Sequence, residues 1–417
     1  MIKINNSTNT WNYSAANKLC SIFIITFVFP TFWGYLSIGI GQIMYLLVTA
    51  LASSLFIINR RIVFPRISKI FFFLFIAYSI TLSLNMPKGL ISLKEYTDIV
   101  RPFFYIYFFS IPLIVGFRKT DLPKIIKCVV ACSLVIVVID LLKFVVGADP
   151  IIKLYALWER DSLNYYRFAG TFCYCYNYGF IIIFCLVWLL YSKVKHYKTL
   201  VGVCAIILLA TGSRSVYLAA FLTIIIFFFR SKRPLIFKVS FCIIFVFSLI
   251  IIYNLIKIYE IPYLSSSVSY VENLVLALQG ESNDGSLSTR TSQLNRALGI
   301  LGSNPLIGGG PQKETSAPIE FQIGYYLSSW GLLGTFIFLC SMLLFYIMAY
   351  RTSKCSNSQI SNFSKANLLW IVSSFIVGMS TPITDQIRVF HIFYLIQGIQ
   401  YVLYMTECRK GIVDTSG

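Results

Sequence analysis

Charged residues inside an otherwise apolar chain are the first candidates for chemistry. In "LLATGSRSVYLAAFLTIIIFFF", Leu208 to Phe229, the one charge is Arg214. A guanidinium in hydrocarbon is costly unless compensated, so such residues usually mark a function. Arg160 and Arg167 occur in "WERDSLNYYRF", Arg290 and Arg296 in "STRTSQLNRALGILGSNPLIGGG", Glu320 in "EFQIGYY", and Arg388 before the last apolar run. Arginine grips phosphate oxygens with a planar fork and stays charged at any relevant pH. Several of them converging near a leaflet surface suit a lipid-linked phosphate or pyrophosphate. A carboxylate within reach of an acceptor hydroxyl can take its proton, and Glu320 is the candidate. Arg160, Arg296 and Arg388 are equally open to pairing with acids such as Asp161, Asp284 or Asp385 to hold loops, and Arg167 to capping a loop. The aromatic groups "NYYRF" and "YNYGF" can stack sugars or form an interfacial belt. Neither Cys173 with Cys175 nor His196 with His391 has the company a zinc site needs, and His391 reads as a packed residue bonded to a neighbour.

The elements that must position these residues are membrane helices. The chain has 417 residues, 57% hydrophobic and 12% charged, with a mean hydropathy of +0.76. Soluble domains carry roughly 25% charged residues, so the expected fold class is an all-α polytopic integral membrane protein. Apolar runs predict about twelve spans: 19–36, 40–58, 70–86, 103–117, 125–147, 168–191, 199–212, 215–229, 235–255, 323–350, 366–381 and 389–406. The first run reads as a retained span, since no small-residue cleavage site follows it. The formal charge of +19 is concentrated on one side: the short loops there, Lys127 and both termini hold 22 of the 35 Lys and Arg, with only Asp121, Glu407 and Asp414 as acids. By the positive-inside rule that side and both termini are cytoplasmic. The basic balance therefore sets orientation and is no footprint for nucleic acid.

Between Lys198 and Arg230 lie 31 residues, short for two crossings of about 20 each. The charge pattern still requires a hairpin, whose turn, "TGSRS", must lie slightly sunken in the outer leaflet. The whole chain, 1–417, reads as one membrane domain with two notable outer loops, 148–167 and 256–322. The second is polar, partly helical and too long for a mere connection. It predicts an amphipathic helix from about Ser269 to Gln279, then a Ser/Thr-capped helix bearing Arg290 that ends by Leu301, before a stop at Gly302 to Pro305. "GGG" at Gly308 to Gly310 allows close backbone approach and a sharp return.

These segments carry a family resemblance. "LLATGSRSVYLAAF" resembles the arginine-bearing hairpin of the bacterial O-antigen polymerase and ligase superfamily. "RFAGTFCYCYNYGF" is similar to its "R-x-x-G-x-f…N" segment, with Arg167 and Asn177 at the arginine and asparagine. "TRTSQLNRALGILGSNPLIGGG" is similar to its "R…a…NPl-x-G-x-G" stretch at Arg290, Asn304, Pro305, Leu306, Gly308 and Gly310. Ligases resemble one another at "H-[NSQ]-x9-G-x-x-G-[T]". This chain reads "EFQIGYYLSSWGLLGT", with Gly331, Gly334 and Thr335 in place but Glu320 where the histidine belongs.

The departure favours a Wzy-type polymerase, a GT-C-like membrane glycosyltransferase of the bacterial inner membrane whose site faces the periplasm. The resemblance implies undecaprenyl-pyrophosphate-linked oligosaccharide as donor and acceptor, membrane lipid around it, and a chain-length regulator and flippase as partners. Its motifs carry over to Arg214, Arg290, Arg167 and Asn177; together with the residue chemistry above, the catalytic candidates are Arg214, Arg290 and Glu320, and the substrate-binding candidates Arg160, Arg167, Asn177, Arg296 and Arg388. Neither metal nor nucleotide cofactor is called for. The alternatives are an O-antigen ligase attaching glycan to lipid A core, a lipid-linked oligosaccharide transporter or flippase, and a scaffold subunit. Transporters usually show repeats and broken midplane helices, and no repeat is visible.

Overall fold

A computed structural model describes residues 14–32, 38–57, 93–155, 167–172, 174–230, 234, 240, 285–310 and 319–413. The spans expected at 70–86 and 235–255, the helix expected from Ser269 to Gln279, and Arg160 lie outside the described residues.

Every regular element among the described residues is helical: α1 Ala15–Val28, α2 Ile38–Ile57, α3 Leu93–Ile114, a 3-10 turn Lys119–Asp121, α4 Leu122–Val135, α5 Val137–Val146, α6 Ala148–Tyr155, α7 Cys175–Ser192, α8 Tyr197–Ala210, α9 Arg214–Arg230, α10 Gly285–Ser303, α11 Gln322–Thr352, α12 Ser358–Val377, a 3-10 turn Ile383–Asp385, and α13 Val389–Val413. Five helical stretches, Lys119–Lys143, Cys175–Ser192, Gln322–Thr352, Ser358–Val377 and Val389–Glu407, are long and apolar enough to cross a membrane, and four shorter apolar helices accompany them. Over its described residues the chain is all-helical, and it is a multi-pass membrane protein. The hairpin expected between Lys198 and Arg230 is present as α8 and α9, joined at Thr211 to Ser213.

Side-chain pairs fix the direction of the central helices. Phe180 on α7 stacks on Trp370 of α12, Phe184 meets Phe363, and Lys365 lies over the Tyr191 ring. The start of α7 thus meets the later part of α12 and the rest of α7 its earlier part, so the two are antiparallel. Gly179 lies flush against Val216 and Tyr191 packs on Phe227, so α7 and α9 run parallel. The start of α7, the start of α9 and the end of α12 therefore share one end of the bundle. Trp370 anchors this core: it is fully buried, and its indole N–H donates to the Phe180 carbonyl at 2.7 Å. In the same way Tyr105 stacks on Tyr394 and Phe109 tilts onto Tyr401, which sets α3 parallel to α13.

Two breaks depart from regular helix. The span expected from residue 168 starts as helix only at Cys175. Residues 167–172 are instead a clamped turn with Gly170 at φ +56°. The other break is in α11, where Gly331 adopts φ 63°, ψ −162°. Such a kink frees backbone groups, each costing several kcal/mol if left unpaired in hydrocarbon. The segment after α10 repairs it reciprocally. The N–H groups of Gly309 and Gly310 donate to the Ser328 and Ser329 carbonyls, while Leu332 and Leu333 donate to the Pro305 and Leu306 carbonyls, all between 2.7 and 3.0 Å. A Cβ on Gly308 would sit 2.5 Å from the Gly331 nitrogen, and one on Gly331 2.5 Å from the Gly308 nitrogen. Only glycine at both places permits the docking, which brings α10 alongside α11.

Candidate functional site

Arg214 is the first residue of α9, immediately after the Gly212–Ser213 turn, and its side chain is exposed. Gly212 takes φ +60° and packs against Arg167, where a Cβ would lie 3.0 Å from the guanidine Nε. The hairpin thus brings Arg167 and the Arg214 turn together. Arg167 is fixed by its neighbours: Phe168 N–H donates to the Ala210 carbonyl at 3.0 Å, and Asp140 accepts from the N–H groups of Ala169 (3.1 Å) and Gly170 (2.7 Å). Asp140 is 1% exposed and paired with Lys143 at 2.6 Å. This buried pair is a positioning feature that sequence reasoning missed. Its signal was an Asp and a Lys one helical turn apart inside an apolar span.

A second corner forms where α10 meets the start of α11. The Glu320 carboxylate lies 3.3 Å from Nη1 of Arg290, with the two side chains 31% and 29% exposed. The guanidinium donates from Nη1 to the Gln293 side-chain carbonyl at 2.9 Å and from Nη2 to the Ser380 carbonyl at 3.3 Å. Two of its five N–H groups are hydrogen-bonded to neutral oxygens, and the partial exposure leaves room for an anion. Ser380 follows α12, at the end of the bundle where α7 and α9 begin. The two corners therefore share one end of the molecule. Gln322 supports the second corner from below: its N–H donates to the Gly378 carbonyl at 2.7 Å and its amide to Thr384 at 3.3 Å, and Thr384 also meets the Tyr326 hydroxyl.

The remaining candidates stand apart from these corners. Arg388, open from the sequence both to substrate binding and to holding loops, is enclosed by the fold. It is 1% exposed, donates to the carbonyls of Phe27 (2.5 Å) and Phe29 (2.7 Å) at the end of α1, and is ringed by Tyr45, Tyr155 and Phe172 at 5.0–5.8 Å. Helix-end carbonyls and aromatic faces both stabilise a cation, so its charge is compensated within the fold. Asp385, the acid offered as a partner for such arginines, accepts a 2.6 Å hydrogen bond from Tyr105. Arg296 is six residues beyond Arg290 and about 120° away from it around the axis of α10, so the helix does not bring the two together. Asn177 is fully buried in the first turn of α7, and neither atom of its amide has a hydrogen-bond partner among the described residues. It lies on the helix stripe of Phe180 and Phe184, facing α12. His391 is the packed residue expected, 3.2 Å from the Thr49 hydroxyl and among the rings of Tyr45, Phe108 and Phe390.

The arrangement is one of cations and a carboxylate at one end of a membrane bundle, the array needed to hold an anionic leaving group beside a proton acceptor. Residues 199–332 match the family model Wzy_C, described as O-Antigen ligase. The matched segment contains Arg214, Arg290, Glu320 and the docked glycines Gly308 and Gly331. It bears out the resemblance at the level of the O-antigen polymerase and ligase superfamily, and supports a role in O-antigen or polysaccharide assembly by a glycosyltransferase-like enzyme. Comparison with curated proteins yields no match.

Proposed function

We propose that this chain is a Wzy-type O-antigen polymerase, transferring an undecaprenyl-pyrophosphate-linked glycan onto another lipid-linked repeat unit at the periplasmic face of the inner membrane. The carrying observation is the Arg290–Glu320 pair, 3.3 Å apart and partly exposed, at the same end as Arg214 and Arg167. In this reading the donor pyrophosphate lies against Arg290 and Arg214. The acceptor hydroxyl attacks the anomeric carbon and passes its proton to Glu320. The bond from that carbon to the pyrophosphate oxygen breaks, and undecaprenyl pyrophosphate leaves with the electron pair and inverts the centre. The arginines stabilise the charge that develops on the leaving group, a contribution that typically reaches factors of about 10²–10³ in rate per donor removed. Arg167 supports the Arg214 turn.

The description of the matching family favours a second reading, an O-antigen ligase that attaches the finished glycan to lipid A core. Glu320 in place of the ligase histidine favours the polymerase. In a strain lacking its own copy, Glu320→Gln at wild-type abundance is expected to leave single repeat units on lipid A core and few long chains. Wild-type chain lengths would remove Glu320 from the mechanism. Glycan that grows to full length on the lipid carrier without reaching lipid A core when this chain is deleted would establish the ligase instead.

A further inference from the structure

We propose that Gln293 is a positioning residue of this site, whose side-chain carbonyl holds the guanidinium of Arg290 and the backbone of Glu320 in one register. The inference rests on the reading that Arg290 and Glu320 serve the transfer reaction. Gln293 follows Arg290 by three residues on α10, which places the two on one helix face. Its Oε1 accepts from Arg290 Nη1 at 2.9 Å and from the Glu320 N–H at 3.3 Å. A carbonyl oxygen has two lone pairs, so a single atom can serve both donors. Gln293 is 7% exposed, whereas the two charged side chains it joins are about 30% exposed. The acceptor lies in the floor of the corner and the charges at its mouth.

A neutral acceptor at this place has a chemical consequence. Nη1 of Arg290 has two oxygens nearby, the Gln293 carbonyl and the Glu320 carboxylate. Without the amide, Nη1 keeps only the Glu320 carboxylate and is drawn closer to it, toward the strong charge-assisted pairing of these two groups. That closure would withdraw the cation from an incoming diphosphate and occupy the carboxylate that must take a proton. The amide holds Nη1 without adding charge, so the guanidinium is shared between a neutral oxygen and the carboxylate instead of being given wholly to the carboxylate. A carboxylate at position 293 would keep the oxygen but compete with the diphosphate for the same guanidinium.

The test uses the full-length protein in liposomes, with lipid-linked repeat units extracted from a strain deleted for this chain, and measures kcat and KM per folded enzyme. Gln293→Met keeps the side-chain length and loses the acceptor; it is expected to lower kcat by about 10–100-fold, the scale of a misplaced catalytic group. Gln293→Glu keeps an acceptor oxygen and is expected to retain more of kcat while raising KM for the lipid-linked substrate about tenfold. A purely structural residue would not separate kcat from KM in this way. Wild-type kcat and KM in Gln293→Met, with Arg290→Ala inactive, would overturn the positioning role and leave the proposed reaction standing. Full activity in both Arg290→Ala and Gln293→Met would overturn the reaction itself. Should Gln293→Met fail to fold, an unchanged KM in Gln293→Glu overturns the proposal equally.

Discussion

Arg388 and Arg290 are both guanidinium groups near one end of the same helical bundle, and their surroundings differ in every respect that bears on function. Arg388 is 1% exposed, bonded to two helix-end carbonyls and enclosed by three rings. Arg290 is 29% exposed, held by two neutral carbonyls, with a carboxylate across from it. The first ties α1 to the start of α13; the second is held in place while part of its hydrogen-bonding capacity stays open to a ligand. Charge in an apolar chain therefore marks importance, and what separates architecture from chemistry is how far the fold has already satisfied that charge.

Substitution at the enclosed arginine should have the largest effect on folding. Arg388→Ala takes the guanidinium donors away from the Phe27 and Phe29 carbonyls at the end of α1, the first of which keeps only the Thr171 hydroxyl, and leaves a cavity among three rings, a loss of about 3–5 kcal/mol by analogy with broken buried charge contacts and large-to-small core changes. Abundance in the membrane and the thermal midpoint in detergent should both collapse. A wild-type midpoint for Arg388→Ala would return that residue to the candidates for substrate contact and break the contrast. A smaller effect is expected at Gly331, where φ is +63° and the Gly308 backbone leaves no room for a Cβ. Gly331→Ala should cost about 1–3 kcal/mol of local strain and loosen the α10–α11 docking. Glycan transfer, on the proposed reading, should then fall further than abundance, because Arg290 and Glu320 stand on the two sides of that joint. Equal losses of activity and abundance would show that the break serves only folding.

Much of this was legible in the sequence, for physical reasons that differ from residue to residue. The α8–α9 hairpin followed from charge placement, since a single crossing would have put basic loops on the wrong side. The close approach at Gly308 to Gly310 followed from the glycine run. Its partner, the kink at Gly331, did not, because the pairing joins backbones 19 to 27 residues apart and glycine names no partner. The start of α7 was set at residue 168 because apolar letters run through "RFAGTF"; the buried Asp140 that holds this segment as a turn acts across chain distance. Gln293 escaped notice because a neutral residue on a helix carries no charge signal, and only its hydrogen bonds to Arg290 and Glu320 distinguish it. Arg388 looked equivalent to the others because a sequence shows a charge without the carbonyls and rings that satisfy it.

The most direct measurement is the turnover of lipid-linked repeat units by Arg290→Ala in liposomes, compared with the native protein at matched amounts of folded enzyme. The account predicts a fall of at least about 100-fold with an unchanged thermal midpoint. A native rate from correctly folded Arg290→Ala would contradict it, and with it the assignment of this corner as the place where the diphosphate is held.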